Sequence, residues 1–194
     1  MPSYAWIGAV VLLLAGNANA TTTTFDGGAG ADVIRVGRGY DPGGLFVYVA
    51  CLNGSWGYGG VVTGSSDTVT VNGNGGSDTL TVQGTSEYYF CGATPKWIYS
   101  MAYGYSCPNI YVNGGTGNER IYGAQCAEHL NGDAGADTIF GSGGNDWIYG
   151  GTENDCIADT TLSFLSCGDG NDSYTDDYLW KDCENQVGYC ILPP

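Results

Sequence analysis

Between residues 114 and 175 the sequence repeats itself every nine residues. Blocks start at Gly114, Gly123, Gly132, Gly141 and Gly150. Their sixth residues are Glu119, Glu128, Asp137, Asp146 and Asp155, and their eighth are Ile121, Leu130, Ile139, Ile148 and Ile157. The block from Asp159 is one residue short and lacks the acid, and the block from Cys167 restores it at Asp172. A unit this small, with one apolar residue and a run of glycine, cannot bury that residue alone. Stacking successive units joins the apolar residues into a column, which confines the fold to a layered array. Side chains two apart on a strand share a face, so each acid sits at the mouth of a short strand whose isoleucine lies in the wall. Layers are spaced by roughly 4.8 Å, and acids in adjacent layers repel one another unless a positive charge lies between them. Glycines at the first, second and fourth places suit tight loops that need positive φ or close backbone approach.

Upstream the pattern recurs in separate blocks at 27–35, 62–70 and 73–81, giving Asp32 with Ile34, Asp67 with Val69 and Asp78 with Leu80. These acids lack same-side neighbours at the interval that 114–175 keeps. The stretches 45–60 and 86–109 break the frame, are rich in Tyr, Trp and β-branched residues, and read as strands with disulfide-pinned loops. No stretch keeps a helical period over a normal helix length. The fold expected is all-β, a parallel β-solenoid with glycine-rich loops and an irregular, disulfide-stapled N-terminal half. The chain divides into residues 1–20, a degenerate region 21–109, the regular array 110–177 and a tail 178–194 that covers an end.

The formal charge of −15, with five Lys and Arg against twenty Asp and Glu, disfavours nucleic-acid or anionic-lipid partners and favours cations. The first twenty residues, MPSYAWIGAVVLLLAGNANA, read as an export signal cleaved after Ala20, with an apolar run too short to span a bilayer. No membrane span is expected in the mature chain, and the location expected is secreted or at the cell surface. Eight cysteines without a C-x-x-C pair, and a single His, favour disulfides over zinc; roughly a hundred pairings are open.

The blocks GGAGADVIR, GDAGADTIF, GSGGNDWIY and GGTENDCIA resemble the RTX, or haemolysin-type, calcium-binding nonapeptide G-G-x-G-x-D-x-U-x. The resemblance implies a right-handed parallel β-roll in which each nonapeptide makes half a turn and Ca2+ sits between loops two blocks apart. Carbonyls at the first and third places and the carboxylate at the sixth would be the ligands. On this chain they fall on Gly114, Thr116 and Glu119; Glu128; Gly132, Ala134 and Asp137; Gly141, Gly143 and Asp146; Gly150, Thr152 and Asp155; and Asp169 and Asp172. One side would hold Glu119, Asp137, Asp155 and Asp172. The other would hold Glu128 and Asp146, with Phe164 next. Calcium accepts six to eight oxygen donors and mixes carboxylates with carbonyls, which suits such loops better than the tight octahedron of magnesium.

No G-x-S-x-G elbow and no H-E-x-x-H motif occurs, and an active site has no reason to recur every nine residues, so no catalytic role is expected. His129, at a seventh place, is expected on the surface, and the aromatic residues are expected to fill a thin core and wall off loops. The function expected is calcium binding by an exported protein with a structural or cell-surface role. The alternatives are a filament subunit self-associating through open solenoid ends, and a carbohydrate-binding adhesin.

Overall fold

The computed structural model describes residues 20–104, 107–161, 163–175, 183, 185 and 186. The expected export signal and most of the tail lie outside these. Among the described residues every regular element is a strand. In chain order these are β1 (Thr22–Asp26), β2 (Val33–Tyr40), β3 (Phe46–Leu52), β4 (Ser55–Val61), β5 (Thr68–Gly75), β6 (Thr79–Val82), β7 (Glu87–Cys91), β8 (Thr94–Ile98) and β9 (Asn109–Thr116). They continue with β10 (Arg120–Tyr122), β11 (Glu128–Ala134), β12 (Thr138–Phe140), β13 (Trp147–Thr152), β14 (Cys156–Ala158), β15 (Phe164–Asp169), β16 (Ser173–Thr175) and β17 (Asn185–Gln186).

One six-stranded sheet runs β1-β5-β9-β11-β13-β15 and is parallel throughout. A second, nine-stranded sheet runs β17-β16-β14-β12-β10-β6-β2 in parallel and then turns antiparallel through β3 and β4. From β9 to β16 the chain alternates strictly between the two sheets, so one repeat block supplies one strand. Strand register sets the packing. Val71, Val112, Leu130, Ile148 and Leu165 align across the first sheet, and Ile34, Leu80, Ile121, Ile139 and Ile157 across the second. All ten are at most 1 % exposed and belong to one apolar cluster. The single column expected from the sequence is therefore two rows packed against each other. Each fully buried isoleucine or leucine contributes about 1.5–3 kcal/mol.

The frame-breaking stretches are antiparallel hairpins. β3–β4 extends the second sheet, and β7–β8 forms a separate two-stranded sheet. The disulfide Cys51–Cys91 joins the ends of β3 and β7, and Val47, Val49 and Ile98 form a small second core beneath them. Cys107–Cys126 and Cys167–Cys183 staple the array, and Cys156 is also disulfide-bonded. The β4 strand covers β1: the Gly60 N–H donates to Thr23 Oγ1 at 2.8 Å, and Thr21 Oγ1 donates to the Val61 carbonyl at 2.9 Å. No described helix is long and apolar enough to cross a membrane.

Some aromatic residues take part in the cores as expected: Phe25 and Tyr48 are buried in the main cluster, and Trp56, Tyr58 and Tyr89 pack against the smaller one. Other rings line the outside. Tyr111, His129, Trp147 and Phe164 share one register row of the first sheet, with centroids 4.7, 5.8 and 5.2 Å apart. His129 is thus outward-facing, as its seventh-place position predicts, and stacked between two rings.

Candidate metal centre

Each sixth-place acid stands at the loop where the chain enters a strand. Its neighbour in the same sheet is the acid two blocks away, because the intervening block belongs to the other sheet. On the side feeding the second sheet, the Asp137 carboxylate accepts from the Glu119 backbone N–H at 2.7 Å. The Asp155 carboxylate accepts from the Asp137 N–H at 2.9 Å, and that of Asp172 from the Asp155 N–H at 2.8 Å. On the side feeding the first sheet, Asp146 accepts from the Glu128 N–H at 2.9 Å. There Ser163, not Phe164, takes the next sixth place: its hydroxyl accepts from the Asp146 N–H at 2.8 Å, and Phe164 pairs with Trp147. The residue missing from the short block was lost ahead of Ser163, so counting from Asp159 overshoots by one.

Upstream the structure corrects two readings. Asp32 and Asp78 belong to the same ladder as Glu119. The Asp78 carboxylate accepts from the Asp32 N–H at 2.7 Å, and Val33, Thr79 and Arg120 share one register row. The missing same-side neighbours are present, with the hairpins looped out between them. The signal was legible, since Gly27, Gly73 and Gly114 all open blocks whose sixth residue is an acid. Asp67, by contrast, lies outside the ladder. Register pairs Val69 with Ile110, and Ile110 with Glu128, so Val69 holds the sixth place and Val71 the eighth. The block read as 62–70 is out of phase by two. Asp67 accepts from the backbone N–H groups of Thr21, Thr63 and Gly64, the Thr63 hydroxyl and, at 2.9 Å, the Tyr48 hydroxyl. Burial pushes its carboxyl up, and these donors, the Thr63 hydroxyl foremost, outweigh it and leave it below the usual aspartate range. It also raises the Tyr48 hydroxyl, which burial already disfavours as phenolate. Asp67 is a turn acid with its own partners.

The ladder acids differ in one respect. Glu119, Glu128, Asp78, Asp137, Asp146 and Asp155 are at most 2 % exposed. Among the described residues no hydrogen-bond donor reaches Oδ2 of Asp78, Asp137, Asp146 or Asp155, Oε1 of Glu128, or either carboxylate oxygen of Glu119. Leaving a buried acceptor unsatisfied costs about 1–3 kcal/mol, and more when it is charged. Burial, followed by the neighbouring Asp137 carboxylate, pushes Glu119 up to about 8; burial and Asp146 push Glu128 up to about 9. Burial raises Asp137 to about 6, and Asp146 and Asp155 to about 7, despite the N–H bonds that oppose it. Asp78 is raised for the same reason, with the Asp32 charge adding to it.

Backbone oxygens crowd the same loops. A Cβ built on Gly132 would lie 2.4 Å from the Gly150 carbonyl oxygen and 2.3 Å from Asp137 Oδ2, and the same holds at Gly150 for the Cys167 carbonyl and Asp155 Oδ2. First-place glycine is thus required by close approach rather than by φ, whereas Gly115, Gly135, Gly144 and Gly151, at second and fourth places, do adopt positive φ. The third-place carbonyls of Thr116, Ala134 and Thr152 accept N–H bonds from Gly76, Gly117 and Gly135, which leaves each a second lone pair. No cluster of three or more His, Cys, Asp and Glu side chains occurs among the described residues, so an ion here would draw most of its donors from carbonyls. Hard oxygen donors, one or two carboxylates per interval and unsatisfied buried carboxylate oxygens fit a calcium-sized cation.

The family model of the RTX calcium-binding nonapeptide repeat matches residues 24–41 and 127–156, in four copies. No curated protein and no solved structure matches the chain. The matched residues take in Asp32, Glu128, Asp137, Asp146 and Asp155, the acids that stand at the mouths of the stacked strands, so the chain carries RTX calcium-binding nonapeptide repeats over these residues, in a fold that also holds disulfides.

Proposed function

We propose that the chain is an exported, calcium-binding β-roll protein with a structural or cell-surface role and no catalytic one. The observation that carries this is the set of buried carboxylates of Asp78, Glu119, Glu128, Asp137, Asp146 and Asp155, each with an oxygen unsatisfied among the described residues while its neighbour stands one layer away. A cation between layers removes both the repulsion and the unsatisfied acceptors. The expected ions lie between Glu119 and Asp137, Asp137 and Asp155, Asp155 and Asp172, and Glu128 and Asp146. Strict alternation of strands between two parallel sheets supports a β-roll, and the disulfides support an oxidising, extracellular setting. Since the site does not exist in the unfolded chain, binding and folding are coupled. Circular dichroism of residues 21–194, disulfides intact, titrated with calcium after chelator treatment, tests this. A cooperative gain of β signal, with magnesium far less effective, is expected; a calcium-free protein already fully folded would sink it.

A second reading has one observation in its favour. Tyr88, Phe90 and Trp97 on the outer face of β7–β8 are 58 %, 64 % and 47 % exposed and in ring contact with one another, and Trp97 continues the contact to Tyr99. Exposed ring faces of this kind suit sugar stacking, and binding on a glycan array that is lost in Trp97→Ala would support an adhesin. End-to-end self-assembly through the β1 edge would first have to displace β4.

A further inference from the structure

We propose that Asp67 is the seat of a processed N-terminus: cleavage after Ala20 leaves the α-ammonium group of Thr21 ion-paired with this buried carboxylate. The proposal rests on the export reading above and goes beyond it, because it gives removal of the leader a structural consequence.

Two independent observations meet at Thr21. The sequence Ala18-Asn19-Ala20 carries the small residues that a signal-cleaving protease takes before the cut, which makes Thr21 the first residue of the mature chain. In the structure Thr21 is also where the chain enters the fold. Ala20 is exposed and Thr21 is half-buried. The Thr21 backbone N–H donates to Asp67 Oδ1 at 2.8 Å, its hydroxyl donates to the Val61 carbonyl at 2.9 Å, and its carbonyl accepts from the Thr68 N–H at 2.8 Å. The next residue begins β1, the edge strand of the first sheet.

Asp67 lacks what a new amine would supply. It is 0 % exposed, and every donor that reaches it in the structure is neutral: the hydroxyls of Thr63 and Tyr48 and the N–H groups of Thr21, Thr63 and Gly64. Among the described residues it forms no ion pair, and the Arg38 guanidinium bonds to Tyr48 instead. A buried carboxylate gains more from a charged donor than from a neutral one, since charge-assisted hydrogen bonds are roughly twice as strong and buried pairs are little screened. Hydrolysis adds water across the Ala20–Thr21 bond. The new carboxyl group leaves on Ala20, and the amine, protonated at neutral pH, stays on Thr21 where its N–H already meets Asp67. The donor atom is unchanged, and its charge is new. Because Asp67 stands just before β5 while Thr63 and Gly64 follow β4, the pair ties β1 both to the strand it pairs with and to the strand that covers it.

The full chain, expressed in a secreting host and collected outside the cytoplasm in calcium, tests this. Intact mass should place its N-terminus at Thr21. Competitive labelling of the α-amine with acetic anhydride across about pH 6–10 then spans the ordinary α-amino range of about 7.7–8.0. Pairing with Asp67 should move the profile above that range. At pH 7 the folded chain should then react about tenfold or more slowly than the same chain in urea with its disulfides intact. Asp67→Asn, which keeps one oxygen to accept, should bring the profile back to that range or below it. A wild-type profile at or below the ordinary range would overturn the pair, since burial without an opposite charge lowers an amine, and would leave the export reading intact. A chain with another N-terminus, or one retained in the cytoplasm, would overturn both. If Asp67→Asn does not fold, the wild-type profile alone decides.

Discussion

Removing calcium should invert the pH dependence of stability. In the calcium-free protein Asp155 is 2 % exposed and titrates near 7, because burial outweighs the Asp137 N–H that bonds it. In an unfolded chain the same group titrates near roughly 3.9. Below about pH 4 the carboxyl is protonated in both states, and its contribution to stability is fully present. As pH rises towards 7 the unfolded chain releases the proton while the folded chain keeps it, so stability falls; above 7 the loss is complete. At about 1.4 kcal/mol per decade, Asp155 alone accounts for roughly 4 kcal/mol, a large part of the 5–15 kcal/mol by which a domain is stable. Glu119, Glu128, Asp137 and Asp146 act in the same direction, with windows ending at about 8, 9, 6 and 7.

Urea denaturation of metal-free protein followed by circular dichroism, at pH 5 and pH 8, reads this directly. With a slope of about 1–3 kcal/mol per molar urea, the midpoint should fall by more than about 1 M at the higher pH. General self-repulsion of a chain at −15 acts the same way, but salt screens exposed charges far more than buried ones. The fall should therefore persist in 0.5 M sodium chloride, about three times physiological ionic strength. With calcium the trend reverses, since the ion needs the carboxylates ionised and is displaced by protons on acidification. Calcium-free midpoints that are equal at the two pH values would refute the reasoning, because acids that ionise freely need no cation.

Further outcomes follow from packing. Ile139→Ala, at a fully buried position, should cost about 2–5 kcal/mol in calcium by urea denaturation, and Ile139→Val under about 1.5. Gly132→Ala places a methyl 2.4 Å from the Gly150 carbonyl and against Asp137, so it should weaken calcium binding in titration calorimetry; Gly30→Ala, with nothing within 4 Å, should stay within about 0.5 kcal/mol of wild type. Replacing Cys51 and Cys91 together by Ala opens a loop with a sequence separation of 40 and should cost about 4 kcal/mol of stability while leaving calcium stoichiometry unchanged. Asp67→Asn should destabilise by about 1–3 kcal/mol, with the same number of ions bound in equilibrium dialysis.

What was legible in the sequence is what period alone determines. Ile121, Ile139 and Ile157 recur in phase with their acids, and the structure buries them all. The two-row packing was implicit in the same numbers, because blocks that alternate between sheets cannot share a column. Errors arose where the count was carried across a change of length. Ser163 takes the place assigned to Phe164 because one residue is missing before it, and Asp67 fell in frame only by starting a block two residues early. Counted along the sequence Asp78 has no neighbour at the regular distance, although distance along the chain is not what the ladder conserves. Register conserves it: β6 pairs with β10 whatever is looped out between them, since parallel pairing requires only that both ends of the insertion return to the same sheet edge. The hairpins that interrupt the period therefore extend the array instead of ending it. One of them, β3–β4, supplies Asn53 and β4, and so closes the end of a layered fold that would otherwise present open acids and an open strand.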